Sequence, residues 1–184
     1  MLAFDLETSG LNPRECLITC AAVCDPDAGI ERVFFFARLE NFKLVPMLDD
    51  AEEFMRLLDQ APRLCAFNGA RFDLPFIRHQ LGAPPGRVAR WRLKLHDVFE
   101  ACKLALSVTF PLSALLELNG LPGKTGSGAD AIQLALDGDW PRLGEYCLND
   151  TRVTHRVSSM AAIRLPKTRG GLVFTGQGGF GCSE

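Results

Sequence analysis

The order of predicted elements places this chain in the α/β class, as a mixed five-stranded sheet flanked by helices. Three strand-like runs joined by short turns come first, which indicates an antiparallel start to the sheet. Segments with helical spacing then alternate with two further strand-like runs, which is typical of a sheet covered by helices. At 184 residues, we expect one domain over residues 1–165, followed by a glycine-rich, flexible tail over residues 166–184.

Each strand is predicted from an apolar run and from the turn residues that follow it. The first strand begins with the apolar residues 1–4, carries Asp5 and Glu7, and ends at Gly10. Alternate side chains of a strand share a face, so Asp5 and Glu7 should point to one side of the sheet and Leu6 to the other. The remaining strands are predicted at residues 16–24, 31–39, 64–67 and 91–95.

The helices are predicted from apolar residues at helical spacing and from residues that favour helix ends. Pro75 suits the first turn of one helix, and Asp97 is expected to cap another, a role that we favour over a catalytic one. The predicted helices span residues 49–58, 73–81, 97–104, 111–119, 129–136 and 140–165. The glycine-rich loop 123–128 lacks the preceding strand of a Walker loop, and we expect Lys124 in it to contact a phosphate.

The net charge and the hydropathy of the sequence count against several classes of protein. The net charge of −2 counts against a protein that coats long nucleic acid, but allows one that grips a few nucleotides at an end. Basic residues are concentrated locally, over residues 87–94 and again over residues 152–169. No run is long enough to span a bilayer and none resembles a signal peptide, so we expect an intracellular protein, cytoplasmic or nuclear.

The seven cysteines are scattered and odd in number. Cys16, Cys20 and Cys24 resemble a metal-binding cluster, but within a strand their even spacing only puts them on one face. We favour thiols packed in the core of a protein from a reducing compartment, with a metal cluster as the alternative.

Four carboxylates follow strands or lie on a helix in a way that indicates a metal site. Asp5 and Glu7 at a buried strand end are costly to desolvate unless a partner such as a divalent cation pairs with them. Two solvated acids are the alternative for this pair alone. Asp73 adds a carboxylate just after the fourth strand, and Asp150 adds another on the long helix. Tyr146 lies four residues before Asp150 and therefore on the same helix face.

Three motifs contain these residues. Residues 4–10 are FDLETSG, residues 68–77 are NGARFDLPFI, and residues 146–150 follow the pattern Y-x-x-x-D. In this order they resemble the three exonuclease motifs of the DEDD superfamily of 3′→5′ exonucleases. Tyr146 is typical of the DEDDy branch, since the other branch would have a histidine where this chain has Glu145. The resemblance covers nearly the whole chain and extends to the exonuclease domains of family B DNA polymerases and their free-standing relatives.

The resemblance implies an RNase H-like fold and two Mg²⁺ or Mn²⁺ ions. By this resemblance, Asp5 would bridge both ions, and Glu7 and Asp150 would complete the ligands of the first. Asp73 would act on the second ion through water. Tyr146 would orient the attacking water, because a free tyrosine with a pKa of about 10 is a poor base at neutral pH.

The resemblance also implies substrate contacts and an activity. Contacts with the terminal nucleotide are implied at Thr8, Gly10, Leu11 and Asn68, while Phe72 would stack on a base or pack in the core. We expect metal-dependent 3′→5′ hydrolysis of phosphodiester bonds at single-stranded DNA or RNA 3′ ends, with release of nucleoside monophosphates. With no polymerase domain in the chain, we expect the substrate to bind unaided or to be delivered by a protein partner. A catalytically weak binding or scaffold protein is the alternative, although such a protein should have lost a carboxylate and none is missing.

Overall fold

The computed structural model describes residues 1–106, 109–123, 126–161, 163–165, 173–175 and 179–181. Its strands are β1 (Leu2–Thr8), β2 (Ile18–Asp25), β3 (Ile30–Phe35), β4 (Ala37–Glu40), β5 (Lys43–Pro46), β6 (Leu64–Ala66), β7 (Leu95–Asp97), β8 (Ile163–Arg164), β9 (Val173–Thr175) and β10 (Gly179–Gly181). Its helices are α1 (Ala51–Gln60), α2 (Asp73–Gln80), α3 (Pro85–Leu93), α4 (Val98–Leu106), α5 (Leu112–Leu118), α6 (Gly128–Asp137) and α7 (Trp140–Ser159), with a short 3₁₀ helix at Pro26–Ala28.

A five-stranded mixed sheet in the order β3-β2-β1-β6-β7 forms the centre of the fold. The first three strands are antiparallel, while β6 and β7 run parallel to β1. The predicted α/β class and mixed sheet are therefore confirmed. β1 is the middle strand, so its residues have neighbours on both sides and helices above and below.

The two faces of the sheet bury different cores. Leu2, Phe4 and Leu6 belong to the core that packs under α1, α2 and α3. Residues of α6 and α7 pack on the opposite face, together with residues of β2. Asp5 and Glu7 alternate with the first set along β1, so they face the layer that contains α7, as their spacing predicts.

The fifth predicted strand was misplaced by four residues. Residues 91–93 end α3, and the strand that pairs with β6 is β7 at Leu95–Asp97. Leu93, inside the predicted strand, is the last residue of α3 and is 89% exposed. Trp91 is fully buried, and Val88 packs against the same core, a three-residue spacing that a helix satisfies.

The predicted third strand is two strands in the structure. β3 ends at Phe35, and β4 then leaves the central sheet to pair with β5 in a separate hairpin. Asn41 and Phe42 at its turn have φ angles of 47° and 60°, the left-handed conformation that two-residue hairpin turns require. Phe42 is 94% exposed, although an apolar residue at this position is more typical of a buried strand than of a turn. The sequence pattern therefore did not reveal the turn.

The predicted long helix ends six residues early. α7 ends at Ser159, Met160 is extended, and the buried Ile163 lies in β8. β8 pairs with β9, which in turn pairs with β10, so two short strands lie within residues 166–184. The rest of that segment lies outside the described residues, and its flexibility and the boundary at residue 165 stay predictions.

The cysteines of the described residues are free thiols, mostly in the core. Cys20 and Cys24 are fully buried in β2, which confirms the core-thiol prediction for them. Cys16 precedes β2 and packs against the core of α1–α3, so it does not share a face with Cys20. Within the same part of the chain, no helix has the length and apolarity needed to cross a bilayer.

Candidate active site

β1 carries the first two carboxylates into the middle of the molecule. Glu7 is 8% exposed and Asp5 is half-buried, on the face of the sheet that α7 covers. The potential ligand atoms of Asp5, Glu7 and Cys147 all lie within 4.8 Å of one another. Two carboxylates held this closely on a central strand form the base of the candidate site.

α7 approaches β1 closely because small side chains face the sheet. A Cβ atom at Gly144 would lie only 3.0 Å from Phe35 Cζ, so glycine is needed for this packing distance. One turn further along, the Cys147 thiol lies 3.6 Å from the carbonyl oxygen of Asp5. The same face of α7 brings Tyr146 and Asp150 to the sheet, where they are 6% and 1% exposed. The predicted helix face is therefore the one that packs.

Tyr146 lies among the carboxylates. Burial raises the pKa of its hydroxyl, and the negative charges of Asp150, Glu7 and Asp5 raise it further. Asp130 of α6 adds a smaller effect in the same direction. The phenol therefore remains protonated at neutral pH, which suits a hydrogen-bonding role rather than that of a base.

The loop between β6 and α2 brings Asp73 to the same place. Asn68 has a φ of 67°, and asparagine tolerates this left-handed conformation better than most residues. At Gly69, a Cβ atom would lie 2.5 Å from that of Ala66 and 3.4 Å from Asp73 Oδ2, so no larger residue fits without movement. This tight turn starts α2 with Asp73 at its first residue.

The surroundings of Asp73 fit a divalent cation. The side chain is 2% exposed, and its Oδ1 atom makes no hydrogen bond within the described part of the chain. Burial raises the pKa of Asp73 well above the usual value, and the charges of Asp5 and Asp97 raise it further. A cation between Asp73 and Asp5 would supply the missing partner and remove the electrostatic cost of both charges.

Cys147 is the member of this cluster that sequence reasoning missed. Burial raises the pKa of its thiol well above the usual value, and Cys20, Asp5 and Glu7 add to the shift. The thiol therefore stays neutral and packs α7 against β1. Hard cations such as Mg²⁺ prefer the carboxylate oxygens beside it. Only its position one residue after Tyr146 could have pointed to it.

Asp97 does more than the predicted capping. Its Oδ1 accepts a hydrogen bond from the Glu100 backbone N–H at 3.1 Å, which confirms the cap at the start of α4. The same carboxylate also accepts the backbone N–H of Asn68 at 3.0 Å and that of Ala70 at 2.8 Å. It thereby fixes the loop that positions Asp73. These two bonds were not predictable from the sequence, because they join elements that are far apart along the chain.

Replacement of Asp97 by Asn tests this restraint. The amide would place a donor against one of the three N–H groups, so we expect Asp97→Asn to lower the free energy of unfolding by about 1–3 kcal/mol. Thermal and urea unfolding measure this change. Asp27, exposed in the 3₁₀ helix, provides the matched control, and Asp27→Asn should leave stability within about 0.5 kcal/mol of the parent. Equal stability of the two variants would contradict the restraint.

The residues predicted to contact the substrate differ in how accessible they are to a ligand. Thr8 is buried and its hydroxyl donates to the Gly10 carbonyl oxygen at 2.7 Å, which shapes the loop after β1. Leu11 in that loop is 85% exposed and available to a ligand. The Phe72 ring packs on Phe76 with a centroid distance of 4.9 Å, which favours the core role over base stacking. Lys124 lies outside the described residues. The assigned roles stay predictions.

A pocket of about 620 Å³ opens beside Tyr146, between α6 and α7. Its charged lining is mostly acidic, with Asp130, Asp137 and Glu145 against Arg142. A Cβ atom at Gly126 would lie 3.2 Å from the Tyr146 ring, so the backbone at this glycine passes close to the phenol. Repulsion by these acids makes the pocket a poor path for the phosphates of a nucleic acid.

Comparisons with known proteins agree with this architecture. A model of the RNase_H_2 family of the RNase H superfamily matches residues 2–112. No curated protein matches by sequence. Among solved structures, the chain is similar to the family B DNA polymerase of the archaeon Pyrobaculum calidifontis, with 20% identity and a TM-score of 0.65 over 85% of this chain and 24% of the polymerase chain.

The chain is also similar to exonuclease I of E. coli. The zinc-bound complex of that enzyme with single-stranded DNA aligns with 18% identity and a TM-score of 0.52, over 79% of this chain and 42% of the other. Its complex with a dA16 oligonucleotide aligns with 16% identity and a TM-score of 0.51, over 95% of this chain and 54% of the other. At these identities the likeness shows a shared fold.

The family match covers more than half of the chain and includes Asp5, Glu7 and Asp73. Its span contains all five strands of the mixed central sheet. The sheet order, the carboxylates on its middle strand and the family match agree, and the chain belongs to the RNase H superfamily.

Proposed function

We propose that this protein is a metal-dependent 3′→5′ exonuclease of the DEDDy branch, acting on single-stranded nucleic-acid ends and releasing nucleoside monophosphates. The observation that supports it most is the convergence of four carboxylates from β1, α2 and α7: Asp5, Glu7 and Asp150 lie close to Tyr146, and Asp73 lies close to Asp5. The likeness to the exonuclease I and family B polymerase folds is consistent with it.

The four carboxylates would hold two Mg²⁺ or Mn²⁺ ions, with Asp5 shared between them. Bound there, such ions would acidify water and stabilise the attacking and leaving oxygens of an in-line displacement at phosphorus. Tyr146, kept protonated by its surroundings, would align the attacking water through its hydroxyl. Asp97 would keep the Asp73 loop in place while the substrate binds.

A binding protein without activity fits the carboxylates less well. Asp73 is 2% exposed and its Oδ1 atom makes no hydrogen bond within the described residues, and a buried carboxylate destabilises a fold unless it is paired or binds a cation. In a protein without catalysis, a neutral residue at this position would give a more stable fold. The presence of this aspartate in the core favours the enzyme.

Digestion of 5′-labelled single-stranded oligomers tests the proposal. We expect a ladder that shortens one nucleotide at a time from the 3′ end, requires Mg²⁺ or Mn²⁺, and disappears with EDTA. A 3′-blocked oligomer should resist, whereas a 5′-blocked oligomer should not. DNA and RNA oligomers of one sequence, and the matching duplexes, define the substrate. Internal cleavage, or activity that persists in EDTA, would overturn the proposal.

A further inference from the structure

A basic surface is formed by residues of the loop between β6 and α2 and of the helices α2, α3 and α4. It comprises Arg71, Arg78, Arg92 and Lys103, and is called the basic face below. Two pockets of about 420 and 210 Å³ lie along it, lined by these side chains. Among the described residues that line these two pockets, Glu100 is the one acidic residue. A chain with a net charge of −2 has therefore concentrated positive charge at this place.

The basic face is joined directly to the loop that positions Asp73. Arg92 Nη1 donates to the Ala70 carbonyl oxygen at 3.0 Å. Arg71 lies two residues before Asp73, and its side chain is 59% exposed. An anion held by these guanidinium groups would thus lie within one loop of the carboxylates.

Other cations of this region already have structural roles. Arg87 is nearly buried and forms ion pairs with Glu52 and Asp59. Lys94 donates to the carbonyl oxygens of Asp59 and Ala61. The basic cluster over residues 87–94 is therefore not available as a whole, and Arg92 is its member that faces the loop.

Glu100 holds two of the available cations in place. Its carboxylate accepts from Arg71 Nε at 3.1 Å and lies 3.4 Å from Arg92 Nη2. One carboxylate shared by two guanidinium groups leaves a surplus of positive charge. Both arginine side chains are more than half exposed. Their remaining N–H groups are therefore available to a ligand with several acceptor oxygens, such as a phosphodiester.

We propose that the basic face binds the backbone phosphates of the single strand whose 3′ end lies at the carboxylates. This inference rests on the proposed exonuclease function. The acidic lining at Tyr146 and the positive charge beside Asp73 give the strand one favourable direction, toward the β7 edge of the sheet. Four cations can engage about two to four phosphates, so log K should fall by about 1.4–2.8 per decade of salt.

Removal of three charges tests this assignment. The variant Arg71→Gln/Arg92→Gln/Lys103→Gln should bind a 12-nucleotide strand with a free 3′ end about tenfold to several hundredfold more weakly at about 50 mM salt, with a shallower salt slope. Fluorescence anisotropy in EDTA measures this binding without hydrolysis.

The matched control removes the same charge outside the basic face. Arg32, Arg38 and Arg56 lie on β3, β4 and α1, and the variant Arg32→Gln/Arg38→Gln/Arg56→Gln should bind the strand within about threefold of the parent. Glu100→Gln should act in the opposite direction, tightening binding about three- to tenfold by freeing both arginines. Thermal unfolding of each variant verifies the fold, and Lys103→Gln alone serves if the triple variant is unstable.

The outcomes separate this inference from the proposed function. Equal losses for DNA and RNA strands support phosphate recognition, whereas a loss confined to RNA would overturn it in favour of 2′-hydroxyl contacts. Equal weakening of strand binding by the control variant would also overturn the proposal, because binding would then depend on positive charge anywhere on the surface and not on the basic face. A parent that binds strands through the basic face but hydrolyses nothing would refute the exonuclease and leave the basic face standing.

Discussion

Asp5→Ala should abolish hydrolysis, with a loss of more than about a thousandfold in single-turnover rate. Asp5 lies on the middle strand, contributes to the raised pKa of both Asp73 and Tyr146, and is the carboxylate assigned to both ions. A lost hydrogen-bond donor costs about a hundredfold to a thousandfold in other enzymes, and a lost metal ligand should exceed that range. Digestion of a 5′-labelled strand in saturating Mn²⁺ measures the loss.

Two further variants make this result specific. Asp5→Asn preserves the shape of the side chain and should be nearly as inactive, because a neutral amide does not replace a bridging carboxylate. Asp27→Ala removes an exposed carboxylate from the 3₁₀ helix and should cleave at the parent rate. Full activity in a folded Asp5→Ala protein would show that the metal site has been assigned to the wrong residues.

Tyr146 and Asp150 share a helix face, but we expect their replacements to have different effects on Mn²⁺ affinity. Asp150→Asn removes a charged ligand, so both Mn²⁺ affinity and rate should fall. Tyr146→Phe keeps the ring packed and loses one hydroxyl, so the rate should fall by about one to three orders of magnitude while Mn²⁺ affinity stays nearly constant. Calorimetric Mn²⁺ titration beside single-turnover rates measures both. Parent-like cleavage by Tyr146→Phe would contradict the orienting role.

The protonation state of Tyr146 can be followed directly. It is the only tyrosine of the chain, so tyrosinate absorbance reports this group alone. Because its pKa is raised by burial and by Asp150, Glu7 and Asp5, metal-free protein should develop this absorbance only above the pH at which free tyrosine ionises. Of these charges, that of Asp150 raises the pKa of Tyr146 most, so Asp150→Asn should move the transition to lower pH. Tyr146→Phe provides the blank.

The parts of the site that follow local periodicity were predictable from the sequence. Alternation along a strand put Asp5 and Glu7 on one face, and four-residue spacing on a helix put Tyr146 beside Asp150. Both predictions depend only on the geometry of a single element. The mixed sheet was predicted from the order of strand-like and helical runs along the chain, which requires no knowledge of the contacts between them.

The parts that depend on contacts between elements were not predictable. At Asp97 the sequence predicts only a helix cap, because the bonds of this residue to Asn68 and Ala70 exist only once β7 pairs with β6. The packing of Cys147 on Asp5 depends on how closely Gly144 lets α7 approach the sheet. The basic face required knowing that Arg87 is engaged by acids of α1 whereas Arg92 is not. Distances between elements decide all three.

The carboxylates come from opposite ends of the described chain, since Asp5 lies on the first strand and Asp150 on the last long helix. During synthesis, the candidate site therefore stays incomplete until α7 has emerged and docked on β1. A growing chain that carries Asp5, Glu7 and Asp73 but not yet Asp150 would lack one of the four carboxylates to which the proposed hydrolysis is assigned. In the finished protein, any local opening that detaches α7 would stop hydrolysis while the sheet persists. Activity would thus report the docking of α7 more sensitively than secondary structure does.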